Sequence, residues 1–184
     1  MQNFIVIMGV AGCGKSSLGQ IVAQAAHLPL VEGDDFHSPE NWAKMNQGIA
    51  LTDADRHDWL DRLSQQIAAH RQGLVLTCSA LKRAYRDRLR EAWSRLRFVF
   101  LDIDRATARA RVAQRAGQHF FPAALVDSQF DTLESPVGEA GVLCLDATQP
   151  PLQLAAQVRI WLARPDAVFG CACRESSSIA GLRP

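Results

Sequence analysis

Residues 4–16 read Phe4-Ile5-Val6-Ile7-Met8-Gly9-Val10-Ala11-Gly12-Cys13-Gly14-Lys15-Ser16, an apolar branched run that breaks into the pattern G-x-x-x-x-G-K-S. Residues 17–26 follow with helical composition and no proline. Strand, glycine-rich loop and helix in that order leave few folds open to the chain. Gly9, Gly12 and Gly14 let the backbone turn so that its N–H groups point inward, and the helix beginning near Lys15 adds the positive end of its dipole. Such a loop holds phosphate. On this pattern Gly9, Gly12, Cys13, Gly14, Lys15, Ser16 and Ser17 are the expected binding residues for ATP, with Lys15 reaching the β- and γ-phosphates and the Ser16 hydroxyl a ligand of Mg2+.

The remainder alternates strands and helices. Leu18, Ile21, Val22 and Ala25 give the first helix a sheet-facing side. Pro29-Leu30-Val31 reads as a second strand, followed by the acidic segment Glu32-Gly33-Asp34-Asp35-Phe36-His37, which an open α/β sheet places at the same carboxyl edge as the loop. Residues 38–72 read as a helical insertion. Ser38-Pro39-Glu40 starts one helix, with Trp42, Met45 and Ile49 as its apolar side, and Thr52 with Asp55 forms a capping box for the next. That second helix is expected to bury Trp59, Leu60, Leu63 and Ile67 and to turn Arg56, Arg62 and Gln66 toward other faces. Leu74 to Cys78, Arg97 to Leu101 and Val142 to Asp146 complete five strands, and a closing helix carries Leu154, Val158, Ile160 and Trp161 as its apolar residues. The expected architecture is α/β: three α/β/α layers around a five-stranded, mainly parallel sheet, of the P-loop, nucleoside monophosphate kinase-like kind.

At 184 residues with a formal charge of +1, one compact domain over 1–164 is expected, followed by a loosely ordered tail over 165–184. No basic patch suggests a nucleic-acid partner, and no run of about 18 apolar residues suggests a membrane span. Met1-Gln2-Asn3 leads directly into a strand, and with scattered single cysteines this points to the reducing cytoplasm. Cys171-Ala172-Cys173 lacks the second ligand pair of a zinc site. A GTPase would carry a strand-associated D-x-x-G, which is absent from the expected position. The insertion at 38–72 and a lid over about 115–137 suggest instead a small-molecule phosphotransferase that closes over its substrates. Arg111 and Arg115 share one helix face ahead of that lid, and the expectation is that they reach the transferring phosphate. Arg105 and Arg109 read as solvated surface, and Trp42, Trp59 and Trp93 as core or hinge packing.

A narrower resemblance rests on several motifs together: Gly33-Asp34-x-x-His37; Asn41-x-x-Lys44-Met45-x-x-Gly48-x-x-Leu51-x-Asp53-x-Asp55-Arg56-x-x-Trp59-Leu60; Cys78-Ser79-Ala80-Leu81-Lys82-x-x-Tyr85-Arg86-Asp87-x-Leu89-Arg90; and His119-Phe120 with Gln129-Phe130-x-Thr132-Leu133-Glu134-x-Pro136. With the phosphate loop, this set resembles the small, thermoresistant bacterial gluconokinases over about residues 4–162. The resemblance implies ATP-dependent phosphorylation of D-gluconate at its 6-hydroxyl and a homodimer. It also implies that His37, Lys44, Arg56, Arg86 and His119 bind substrate. Asp34, at the carboxyl end of the second strand, is the expected base for the sugar-acid hydroxyl; because the third strand ends without the metal-binding aspartate common in phosphate-loop proteins, either Asp34 joins Ser16 at Mg2+ through water or another acid such as Asp35 approaches. A shikimate or other small-molecule kinase of the same fold, and a non-enzymatic ATP-binding regulator, are the alternatives left open by the sequence.

Overall fold

The computed structural model describes residues 2–114, 123–164 and 170–171. Its elements run β1 (Asn3–Met8), α1 (Lys15–Ala26), β2 (Leu30–Glu32), α2 (Pro39–Asn46), α3 (Asp53–Ala69), β3 (Gly73–Cys78), α4 (Arg83–Ala92), β4 (Arg97–Asp102), α5 (Arg105–Gln114), α6 (Ala123–Thr132), β5 (Val142–Asp146), α7 (Pro151–Leu162) and β6 (Gly170–Cys171). The five strands read from the sequence are present. The sixth, two residues long, lies in the stretch read as a loosely ordered tail and pairs with β5.

Every neighbouring pair is parallel, in the order β2-β3-β1-β4-β5-β6. Because side chains alternate along a strand, β1 feeds two cores at once. Ile5 and Ile7 pack with Leu18 and Val22 of α1, Val112 of α5 and Val158 of α7; Phe4, Val6 and Met8 pack with Trp59 and Leu63 of α3 and Leu89 of α4. Helices therefore cover both faces, giving the three layers expected. Strand order reverses direction at β1, with β3 on one side and β4 on the other. In open α/β sheets that reversal opens a crevice beyond the carboxyl ends of the strands, and the glycine loop stands there.

Local signals fix several boundaries. Gly14 takes φ +99° immediately before α1, a conformation that a residue with a Cβ adopts only with strain. The Ser38 hydroxyl accepts from the Asn41 N–H, and Thr52 with Asp55 forms the full capping box. Four readings change. Arg56, expected to turn away from the buried side of α3, is only 8% exposed. Trp42 and Ile49 do not form a buried face of α2, and Ile160 lies on the solvent side of α7 at 54% exposure. Arg105 and Arg109 are half exposed, yet Arg105 bonds Asp131 at 2.7 Å and Arg109 lies 3.4 Å from Asp127, so these arginines tie α5 to α6.

Candidate active site

The loop between β1 and α1 is held from inside. The Lys15 ammonium donates to the carbonyls of Gly9 and Val10 at 3.1 and 3.1 Å, neutral acceptors that leave its charge unmatched. Ser16 Oγ donates to the Glu32 carboxylate at 3.0 Å, and the Thr77 hydroxyl donates to the same oxygen. Glu32 is the last residue of β2, so the acid nearest the loop serine comes from the second strand and not from the end of the third. Asp34 and Asp35 were the acids considered at this position; Asp34 instead faces the adjoining cavity.

That cavity, about 240 Å³, is bounded by the phosphate loop, Asp34, His37, Trp42, Arg56 and Gln129. A tight helical turn over Gly33–Phe36 brings Asp34 to its edge. The turn is locked because a Cβ on Gly33 would sit 2.3 Å from the Thr77 carbonyl, and because the Gly33 carbonyl accepts from the Trp59 indole N–H at 2.8 Å. His37, 8% exposed, stacks on Trp59 with centroids 4.5 Å apart and meets the edge of Trp42 at 6.3 Å. Burial pushes its pKa down to about 4; Asp34 opposes that shift and Arg56 adds to it. His37 is therefore a neutral imidazole near pH 7, and its buried Nδ1 has no hydrogen-bond partner among the described residues.

The candidate cations separate by their partners. Lys44 is paired with Asp55 at 2.6 Å. Arg86 is fully buried, held by the Glu139 carboxylate at 2.5 Å and by the carbonyls of Ala80 and Leu81 at 2.9 and 3.0 Å. Neither lines the Asp34 cavity, so the structure does not bring either into the expected substrate role. Arg56 does line it. Its guanidinium lies 5.9 Å from the Tyr85 ring centre, its buried Nε has no hydrogen-bond partner, and it makes no ion pair among the described residues. Tyr85 is fixed beneath it by a hydrogen bond to Asp53, which also holds Lys82 at 2.7 Å.

Arg111 was expected at the transferring phosphate. The structure places it on the other flank of the loop, donating to the Ala147 carbonyl at 3.0 Å and the Gly12 carbonyl at 3.5 Å. There it borders a second cavity of about 250 Å³, shared with Cys13, Ser17, Gln149 and Pro151. Arg115 and His119 lie outside the described residues. Trp42, read as packing, is instead a cavity wall. Glu32 and Gln129 carried no assigned role in the sequence reading; the signal for Glu32 was its place at the carboxyl end of β2, and that for Gln129 only its membership of the last motif.

With this geometry in place, comparison with known proteins is informative. A family model described as an AAA domain matches residues 4–137. The chain is 39% identical over 158 residues to the thermosensitive gluconokinase of Escherichia coli (strain K12), covering 84% of each chain. It is 40% identical over 152 residues to the thermoresistant gluconokinase of the same organism, covering 80% of this chain and 86% of that one. The crystal structure of a gluconokinase from Sinorhizobium meliloti 1021 superposes with a TM-score of 0.82 at 44% identity, covering 89% of this chain and 93% of the other. The chain belongs to the gluconokinase family, within the phosphate-loop proteins that the AAA-domain model describes.

Proposed function

We propose that this protein transfers the terminal phosphoryl group of ATP to the 6-hydroxyl of D-gluconate, giving 6-phospho-D-gluconate and ADP. The observation that carries the reading is Arg56, a buried cation without a counter-charge among the described residues, in the same cavity as Asp34 and the phosphate loop. A buried charge is costly unless met, and the guanidinium fork matches a carboxylate. Gluconate supplies a carboxylate at one end and a primary hydroxyl at the other. With the carboxylate on Arg56, neutral His37 and Ser79 offer hydrogen bonds to the hydroxylated chain, and Asp34 is the carboxylate available to orient the 6-hydroxyl and take its proton. The loop amides and Lys15 bind the phosphates and offset the charge that develops on them. The second cavity, beside Arg111, takes the nucleoside.

The donor set suits a hard divalent cation. Ser16 Oγ and the Glu32 carboxylate meet at 3.0 Å beside the phosphate loop, all-oxygen ligands of the type magnesium prefers. Among the described residues no group of three or more His, Cys, Asp or Glu side chains is gathered to hold a metal. A cation held there would supply charge neutralisation to the phosphates. Ser16 would be its protein ligand, with Glu32 rather than Asp34 accepting from its waters.

Among the described residues no helix is long and apolar enough to cross a membrane. A cytoplasmic homodimer belongs to the same reading, and light scattering on the purified protein tests the dimer. An ADP-release assay across gluconate, other aldonates, shikimate and nucleoside monophosphates tests the substrate. Gluconate is expected to give the highest kcat/KM, and preference for any other acceptor overturns the assignment.

A further inference from the structure

Gln129 lies one turn before the end of α6, far in sequence from the phosphate loop, yet its side-chain oxygen accepts from the Ala11 N–H at 2.6 Å. The helix that delivers it is firmly seated. Leu125 and Val126 are buried, Thr132 Oγ1 donates to the Ser128 carbonyl at 2.8 Å, and the Glu134 N–H just beyond donates to the Leu81 carbonyl at 2.9 Å. A backbone N–H can only donate, so the atom that meets Ala11 is the amide oxygen, and among the described residues the NH2 group keeps both its donors for another partner. Gln129 borders the same cavity as Lys15, Asp34 and Arg56. The two cavities flank the loop: one beside Arg111, the other beside Asp34. A nucleotide seated in the first and threaded along the loop amides brings its terminal phosphate toward the second, past Ala11 and the Lys15 ammonium that rests on the neighbouring Gly9 and Val10 carbonyls.

We infer that Gln129 is a further catalytic residue of the transfer, its oxygen anchored by the loop and its NH2 donating to the terminal phosphoryl oxygens. The inference rests on the kinase reading above and adds to it a donor that tells triphosphate from diphosphate. A purely structural clasp between α6 and the loop needs only the acceptor oxygen. Gln129→Glu keeps that acceptor, removes both donors and adds a negative charge, whereas Gln129→Ala removes acceptor and donors without adding charge; a loss of analogue affinity over ADP shared by both variants marks the donors, and one confined to the glutamate variant marks repulsion alone and overturns the inference. The experiment measures, by calorimetry without gluconate, the affinity of wild type and both variants for ADP and for a non-hydrolysable ATP analogue, followed by kcat with gluconate and thermal unfolding. For Gln129→Glu the expected result is an ADP affinity within about threefold of wild type, an analogue affinity reduced at least about tenfold, the scale of one charge-assisted hydrogen bond, and kcat reduced by about tenfold or more. Gln129→Ala is expected to lose kcat likewise. A glutamate variant that weakens ADP and the analogue equally, weakens neither, or keeps more than about a third of kcat overturns the inference. Should wild type phosphorylate no sugar acid, the substrate assignment fails on its own, while the ratio of analogue to ADP affinity still decides the role of Gln129.

Discussion

Replacing Arg56 by methionine is expected to damage gluconate binding without damaging the fold, a combination unusual for a residue only 8% exposed. On the binding side, a charge-assisted hydrogen bond contributes about 1.5–3 kcal/mol, so the KM for gluconate should rise about ten- to a hundredfold. The KM for ATP should hardly move, and kcat at saturating gluconate should fall less than KM rises, because a carboxylate clamp acts on ground and transition states alike. On the stability side two terms oppose. The contact with the Tyr85 ring at 5.9 Å is worth about 0.5–1 kcal/mol and is lost. The unpartnered buried Nε and the unmatched charge cost about 1–3 kcal/mol in the free protein, and methionine removes that cost while keeping much of the volume. The second term wins. Arg56→Met should therefore unfold at the same temperature as wild type or a few degrees higher, on a scale of about 2–4 °C per kcal/mol for a chain of this size. Steady-state kinetics in both substrates and calorimetric unfolding without ligand supply the two numbers. A gluconate KM within about twofold of wild type, or a Tm lower by more than about 5 °C, refutes the reasoning: the first would show that Arg56 meets no carboxylate, the second that its charge is already satisfied inside the fold.

Arg86→Met provides the contrast: it removes a fully buried guanidinium with its bonds to the Ala80 and Leu81 carbonyls and leaves the half-buried Glu139 carboxylate only Arg90, at 3.1 Å, so a loss of about 1–3 kcal/mol is expected by denaturant titration, with KM for gluconate unchanged in whatever fraction remains folded. Asp34→Asn should lower kcat on the order of 10²-fold while calorimetry finds ATP affinity nearly unchanged; loss of nucleotide binding without selective loss of chemistry would reassign it to the metal shell. Glu32→Gln should raise the Mg2+ concentration needed for half-maximal activity several-fold and leave binding of metal-free ADP intact, as read from a magnesium titration. For His37, burial places the folded pKa at about 4 against an ordinary 6.5, so the unfolded chain binds the proton more readily. Its contribution, on the order of 3 kcal/mol, is fully present above pH 6.5 and is lost as pH falls toward 4; the slope of unfolding free energy over that window should flatten in His37→Phe.

The parts of this fold written in short stretches were readable in the sequence. The phosphate loop, the Ser38 and Thr52 caps and the strand runs each depend on neighbours within a few residues, and the structure has them where those neighbours put them. The site was legible in its inventory but not in its sorting. Lys44, Arg56 and Arg86 are all helical cations within one resemblance, and nothing local distinguishes them; the distinction is made by Asp55 and Glu139, which neutralise Lys44 and Arg86, while Arg56 meets no carboxylate among the described residues. Glu139 stands 53 positions from Arg86, and Gln129 stands 118 from Ala11, so neither pairing has any local trace. Arg111 went to the other flank for a related reason: helical spacing defines a face, but which cavity that face borders depends on the loop after β5 that supplies the Ala147 carbonyl.

Charge accounting then gives the site a direction. Lys44, Lys82, Arg86 and Arg90 each find a carboxylate within the chain, at 2.6, 2.7, 2.5 and 2.7 Å, and so need no ligand. Lys15 rests on carbonyl oxygens and Arg56 on an aromatic ring, partners that attract a cation but cannot cancel its charge. Both line the cavity that Asp34 enters, so two positive charges without a carboxylate partner among the described residues share one space with the Asp34 carboxyl group. On the proposed reading a polyanionic nucleotide meets the first charge and a carboxylate-bearing acceptor the second, so each cation reaches a counter-ion when its own substrate binds. On that reading the free enzyme carries an electrostatic cost at Arg56 that binding of the acceptor's carboxylate removes, and Asp34 lines the same cavity as both cations.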